Sequence, residues 1–341
     1  MSNSSKLDAI VIGRAGMDLY ASPENTSIEH AKSFSTDLGG SAANIAVAMA
    51  KQGSKVGLLT LLSDDAVGAF VENKLKSFSV EAITTNVAAK KANSVDARTS
   101  LALAEVKSDN PHVVIYRNQA SDFFLQREDV DNAHLKRARC LVITGTALAK
   151  EPSRSSVFYA LECAKKLNLF TVFDLDYRKY SWASQEETKT VYQRVMPLVD
   201  AAIGNDEEFA LVDIKNSDVK NPSCRDFFLK NGRGRILLYK MGAKGCTSLF
   251  LDKDEIKSFD TPVFKVTAKK PYGAGDAFLG NVLSFILKSD NLKNISQETL
   301  SQAVQYGAAA AAWVVSHIGC ASAMPNTSEL NDFIKNNKNN S

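Results

Sequence analysis

Short apolar runs recur along the chain, with stretches of helical periodicity between them. Ala9-Ile10-Val11-Ile12, Val56–Leu62, Leu141-Val142-Ile143, Thr171-Val172-Phe173, Ala201-Ala202-Ile203 and Ile236-Leu237-Leu238-Tyr239 are largely apolar without alternation. Such runs mark strands covered on both faces. Helical patterning follows at Ile45, Val47, Ala48 and Met49, at Asp65–Phe78, and at about Ser153–Leu167, Gln185–Pro197 and Pro222–Lys230. It returns after Asp276 and in an alanine-rich segment, Glu298–Val315. Strands alternating with helices of this length predict an α/β fold, with a mainly parallel sheet and right-handed crossovers. One region breaks the rhythm. Arg98–Ala104 and His112–Tyr116 are strand-like and flank the turn signal Asp109-Asn110-Pro111, which predicts a hairpin within Asp96–Tyr116. A polar loop is expected ahead of Leu38, and Asp260–Val266 is strand-like.

Composition narrows the function classes. With Lys+Arg 41 against Asp+Glu 38, the net charge of +3 argues against a nucleic-acid or membrane-surface partner. The 341 residues are ample for a full core. A single domain over 7–334 is expected, with flexible tails at 1–6 and 335–341. Cys140, Cys163, Cys224, Cys246 and Cys320 are scattered, form no C-x-x-C pair and are odd in number, which argues against a disulfide framework. The four histidines are dispersed, so a histidine-based metal site is not expected. No apolar run reaches ~18 residues, and no leader pattern opens the chain. A cytoplasmic protein is expected.

The stretch richest in chemistry is Gly273-Ala274-Gly275-Asp276, which runs into the apolar helix start Ala277–Leu283. Its glycines let backbone approach a ligand closely, and the first free N–H groups of the helix favour an anion. Asp276 there is either a cap or a base beside an anion. Gly39-Gly40 repeats this logic before another helix, with Ser41 expected as its N-cap. The chain has no G-x-x-x-x-G-K-[ST], no G-x-G-x-x-G after a strand and no G-x-S-x-G elbow. That leaves polar residues and glycines at strand ends, each with a structural explanation when taken singly.

Four of these motifs form a recognisable set. Gly39-Gly40-Ser41-Ala42-Ala43-Asn44, Asn205-x-x-Glu208, Lys240-x-Gly242-x-x-Gly245 and Gly273-Ala274-Gly275-Asp276 resemble, in order and spacing, the ribokinase-like (PfkB) sugar kinases. The similarity spans roughly residues 8 to 334. It implies a three-layer α/β/α fold with a small β-sheet lid, drawn from about 17–37 and 96–118. It also implies transfer of the ATP γ-phosphoryl group to a sugar primary hydroxyl. On that resemblance Asp276 is the base, and the N–H groups of Gly273, Ala274 and Gly275 hold the γ-phosphoryl oxygens. Asn205 and Glu208 act on Mg²⁺ and the phosphates through waters; the structural alternative is a helix cap and a solvated first-turn acid. Lys240, Gly242 and Gly245 contact nucleotide, and Asp18, Gly39, Gly40 and Asn44 bind sugar hydroxyls.

Further stretches look like one branch of that family, the 5-dehydro-2-deoxygluconokinases of myo-inositol catabolism. They are Ile12–Tyr20, Asp174–Trp182, Thr144–Leu148, His317–Ala321 and the prefix Lys270-Pro271-Tyr272. A sugar-acid substrate calls for guanidinium. Arg117 and Arg178 are the candidates, with Asp174 and Asp176 read as the arginine's partners, and Arg14 is left at the lid edge. Kinases of 2-keto-3-deoxygluconate or fructose, and a sugar sensor without turnover, are the alternatives. In many relatives an Asp and a Thr before the glycine turn help hold an activating monovalent cation. Lys270 stands there instead, which implies weak or absent K⁺ activation. Lids of this kind also pair subunits in relatives, so a homodimer through the lid is possible.

Overall fold

The computed structural model describes residues 6–86, 97–130, 135–215, 217–230 and 233–338. Its strands are β1 (Leu7–Ile12), β2 (Gly16–Ser22), β3 (Ser33–Gly39), β4 (Val56–Leu62), β5 (Glu81–Asn86), β6 (Ser100–Ala104) and β7 (Val113–Tyr116). They continue as β8 (Ala138–Thr144), β9 (Phe170–Asp174), β10 (Ala201–Asn205), β11 (Ile236–Lys240), β12 (Cys246–Asp252) and β13 (Glu255–Thr261). The helices are α1 (Ser41–Lys51), α2 (Ala66–Ser77), α3 (Ser153–Lys166), α4 (Gln185–Val195), α5 (Asp206–Ala210), α6 (Pro222–Leu229), α7 (Ala274–Ile286), α8 (Gln297–Val315) and α9 (Thr327–Lys338).

Nine strands form one sheet in the order β13-β12-β11-β10-β9-β8-β1-β4-β5. Pairing is parallel from β5 to β11 and antiparallel at β12 and β13. Both faces are covered, which explains the uninterrupted apolar runs. Along β1, Ala9 and Val11 join a core under α1, α7 and α8, whereas Ile10 and Ile12 join a core under α3, α4 and α6. The result is a three-layer α/β/α architecture. A second sheet, in the order β3-β2-β6-β7, lies beside it. There β2–β3 and β6–β7 are antiparallel and β2–β6 is parallel.

Four expectations need correction. The polar segment ahead of Leu38 is not a loop throughout, because β3 fills Ser33–Gly39 as an edge strand paired with β2. Asp18 does not stand at a strand end; it lies within β2. The strand expected at Asp260–Val266 ends at Thr261 and belongs to a hairpin with β12. The tail expected from Lys335 is helical to Lys338, because Leu330 and Ile334, one turn apart, are buried against α8 and anchor it. Residues 1–5 of the other expected tail, residues 339–341, and the hairpin's first position, Asp96, lie outside the described residues.

Candidate active site

A cavity of about 440 Å³ opens where β9, β10 and β11 end at Asp174, Asn205 and Lys240. Parallel register sets these ends side by side, with Asn205 opposite Lys240 and Ile203 opposite Asp174. Ligands of open α/β sheets collect at such carboxyl ends. The second sheet supplies another wall through Ala102, Ala104, Val113 and Ile115.

At one end of the cavity stands the start of α7. Its N-cap, Gly273, has φ 78, a left-handed conformation that favours glycine, and no side chain caps the helix. The free N–H groups therefore face the cavity. Asp276, in the first turn, has its Oδ2 held by Asn44 Nδ2 at 2.8 Å. Burial raises the Asp276 carboxyl to about 6, and Asp176 adds to this, against the opposing pull of Asn44, Arg178 and Lys240. Lys240 Nζ sits 3.8 Å from Glu208 Oε2 and 3.9 Å from Asp174 Oδ1. Burial disfavours the lysine charge, but these acids outweigh it and raise the Lys240 pKa. Burial likewise pushes Asp174 well above the carboxylate range. Asp174 thus faces Lys240, and only Asp176 partners Arg178.

Asn205 and Glu208 start α5 with a capping box. Asn205 Oδ1 accepts from Glu208 N at 2.9 Å, and Glu208 Oε2 accepts from Asn205 N at 2.8 Å. Glu208 is not a solvated acid, however. It is buried, and its Oε1 accepts from Tyr177 N at 3.1 Å.

Asp18 also lines the cavity. A Cβ on Gly39 would sit 1.8 Å from Asp18 Oδ1, so only glycine lets the carboxylate tuck in there. Tyr20, on the same face of β2, donates to Asp18 Oδ2 at 3.2 Å. Burial lifts Asp18 to about 6, against the pull of Arg14 and the Tyr20 hydrogen bond. Gly40, not Ser41, is the N-cap of α1; Ser41 Oγ instead donates to Asp176 Oδ2 at 2.5 Å. Arg178 Nη2 meets Asp176 Oδ1 at 2.8 Å, with the arginine side chain about half exposed. Arg117 is buried: Nη2 donates to Asp122 and to Thr146 O at 3.1 Å, Nη1 to Ser181 Oγ at 3.3 Å, and the group lies 4.1 Å over the Phe123 ring. Beneath the turn, Lys270 is fully buried and its Nζ donates to Tyr272 O at 2.7 Å.

Most expected site residues line this one cavity: Asp18, Gly40, Asn44, Arg117, Arg178, Asn205, Glu208, Lys240 and Gly273–Asp276. Gly39 backs Asp18 from behind, while Gly242 and Gly245 lie in the turn after β11, outside the lining. Sequence reasoning missed Tyr20, Thr146, Tyr180 and Cys320 as lining residues. Tyr20 was reachable, since it stands two positions from Asp18 on a strand; the others fall within stretches that carried the resemblance, Thr144–Leu148, Asp174–Trp182 and His317–Ala321, without being singled out there. Among the described residues no cluster of three or more His, Cys, Asp or Glu could hold a metal, and no helix is long and apolar enough to cross a membrane.

The chain is similar to known proteins over its whole length. It is 38% identical to the 5-dehydro-2-deoxygluconokinase of Photobacterium profundum, covering 96% of this chain and 95% of that one. It is 35% identical to the enzyme of the same name from Geobacillus kaustophilus, covering 98% and 96%. Among solved structures, a fructokinase double mutant from Vibrio cholerae O395 in fructose-, ADP- and potassium-bound form superposes with TM-score 0.81. That match has 23% identity and covers 97% of this chain and 99% of the other. The profile of the pfkB family carbohydrate kinases matches residues 6–327, and the chain belongs to that family.

Proposed function

We propose that the chain is an ATP-dependent kinase of 5-dehydro-2-deoxy-D-gluconate, transferring the γ-phosphoryl group to its 6-hydroxyl in the cytoplasm as a step of myo-inositol degradation. The product is 6-phospho-5-dehydro-2-deoxy-D-gluconate. The observation that carries the substrate is the group of relatives bearing that name, 32% to 38% identical over nearly the full chain. Fructose, or another sugar acid such as 2-keto-3-deoxygluconate, is the second reading, favoured by the fructokinase likeness in fold. A panel of these sugars with ATP, read by ADP release, separates the readings. Preference for fructose over 5-dehydro-2-deoxygluconate overturns the first.

In this mechanism Asp276, ionised above about 6, accepts the proton of the 6-hydroxyl as that oxygen bonds to the γ-phosphorus and the bond to ADP breaks. The N–H groups of Gly273, Ala274 and Gly275, with the dipole of α7, stabilise the charge spreading over the phosphoryl oxygens. Asn44 orients the base through its 2.8 Å hydrogen bond. Lys240 approaches the nucleotide phosphates, and the Gly242–Gly245 turn borders the nucleotide. Asp18, Gly39, Gly40 and Asn44 form the sugar side, with Arg178 and Arg117 in the wall beyond.

Mg²⁺ fits as a hydrated ion brought by the nucleotide. Both Glu208 oxygens already accept backbone N–H bonds, each keeping one lone pair, which suits contact through water rather than direct ligation. Bound there, it would neutralise phosphate charge. The second sheet serves as a lid, from about 17–37 and 97–118, that keeps water from the phosphoryl group. Exposed Val114 and Tyr116 on its edge strand β7 support a homodimer through that lid.

A further inference from the structure

We propose that Arg14 receives the carboxylate of the sugar acid and sets the preference for an acid over a neutral sugar. This rests on the sugar-acid reading above and assigns the other end of the same substrate.

Three arginines line the cavity, and they differ in what they have left to give. Arg117 is buried and fixed by Asp122, Thr146 O and Ser181. Arg178 gives Nη2 to Asp176 and Nη1 to Tyr177 O, at 2.8 and 3.3 Å. Arg14 gives only Nη1, to Ser100 Oγ at 3.0 Å, and makes no ion pair among the described residues. Its Nε and Nη2 remain for a ligand, and a guanidinium edge matches a carboxylate with two hydrogen bonds.

The backbone holds Arg14 firmly. Its carbonyl accepts from Ala43 N at 3.4 Å and lies 2.4 Å from where a Gly40 Cβ would stand. Arg14 is therefore pinned to the start of α1, and its side chain crosses to β6 on the second sheet, beside Asp18. Arg178 and Lys240 act on Asp276, whereas Arg14 acts on Asp18, and Arg14 and Arg178 both reach Tyr180 between them. A six-carbon acid with its 6-hydroxyl at Asp276 and an inner hydroxyl at Asp18 would turn its carboxylate toward Arg14, beside Asp18. Both anions of the reaction, carboxylate and triphosphate, then have separate cationic partners.

The test compares 5-dehydro-2-deoxygluconate with its carboxamide in the parent, Arg14→Met, Arg14→Lys and Arg178→Met enzymes. Arg14→Met is expected to lower kcat/KM for the acid about 10- to 100-fold, mainly through KM, and to cost the carboxamide far less. Arg14→Lys keeps the charge without the fork and should fall between; it also carries the test if Arg14→Met does not fold. An acid-to-amide ratio unchanged in the Arg14 variants, or lost in Arg178→Met alone, overturns the assignment. A parent enzyme that phosphorylates neutral sugars but no sugar acid overturns the substrate reading first, and this assignment with it.

Discussion

Two helices begin at the same cavity in opposite ways. α7 starts at Gly273, left-handed and without a side-chain cap, so its leading N–H groups stay open to a ligand. α5 starts at Asn205, where the reciprocal bonds with Glu208 occupy the helix entrance. Both follow the end of a strand or loop and both carry acids in the first turn. A helix start can bind an anion only where its donors are not already satisfied from within. Four helices away from the cavity follow the closed pattern: α2, α4, α6 and α8 are capped by Asp65, Ser184, Asn221 and Ser296, whereas α3 begins at Pro152 without a side-chain cap. α1, which faces the cavity, begins at Gly40 without a side-chain cap. Glycine thus marks the entrances left open at the cavity, and Asn205 marks one whose acid is locked in place.

The sharpest way to break this comparison is Asp276→Asn. If the open entrance of α7 is the reacting pole, kcat measured by ADP release should fall by about 10²–10⁴-fold, the usual contribution of a general base. Turnover within a few-fold of the parent would move the chemistry elsewhere. Next come matched substitutions at the two entrances. Gly273→Ala forces an L side chain into a left-handed backbone with its Cβ 3.1 Å from Cys320 Sγ. Displacing one oxyanion donor in this way should cost about 10²-fold in kcat. Asn205→Ala removes the cap of α5 and should lower the unfolding free energy by about 0.5–2 kcal/mol. Kinetics and denaturant titration of both variants check the pair. A larger kcat loss in Asn205→Ala than in Gly273→Ala would reverse the assignment of open and closed.

The same contrast explains what the sequence disclosed. Most of the parallel strands were legible because burial on both faces leaves few polar residues in their centres, and the glycine turns because their spacing is local. β2 was harder to see. Its cavity face carries Asp18 and Tyr20, so function replaces the apolar alternation that marks a strand. β3 is polar along an exposed edge and reads as loop, and of the β12–β13 hairpin only the end of β13, from Asp260, reads as strand. The pairing of Asp174 with Lys240 depends on three neighbouring strand ends, which no local pattern encodes. Asp176 was noticed, but not that Ser41 and Thr146 also hold it, from 135 and 30 positions away.

A smaller effect separates activity from stability within the open pole. Burial raises Asp276 and Asp18 to about 6 from the ordinary 3.8. Turnover should therefore rise with pH through about 6 and then level, since the base must be ionised. Stability should run the other way. A carboxyl whose pKa is raised by folding favours the native state below the unfolded value, near 4, and loses that contribution as pH climbs through 6. Melting temperatures taken from pH 4 to 7 should show this decline, and Asp276→Asn should shrink it. A decline of equal size in the variant would assign the effect to Asp18 alone.

The smallest expected effect is that of K⁺, and it probes what stands behind the open turn. Lys270 is fully buried two residues before Tyr272, whose carbonyl takes its ammonium at 2.7 Å immediately ahead of Gly273. Burial lowers the Lys270 pKa, while Cys320, Asp37, Asp276 and Asp18 pull it back up. An ammonium held there fixes positive charge against the turn by a covalent tether, and a buried ammonium without neighbouring acids would be costly. If that charge does the work of a bound monovalent cation, the chain needs none from solution for that position. Initial rates should be equal in potassium chloride and in tetramethylammonium chloride at matched ionic strength. Strong stimulation by K⁺ would mean that Lys270 secures the backbone without supplying the charge, and that the open entrance still depends on an ion from outside.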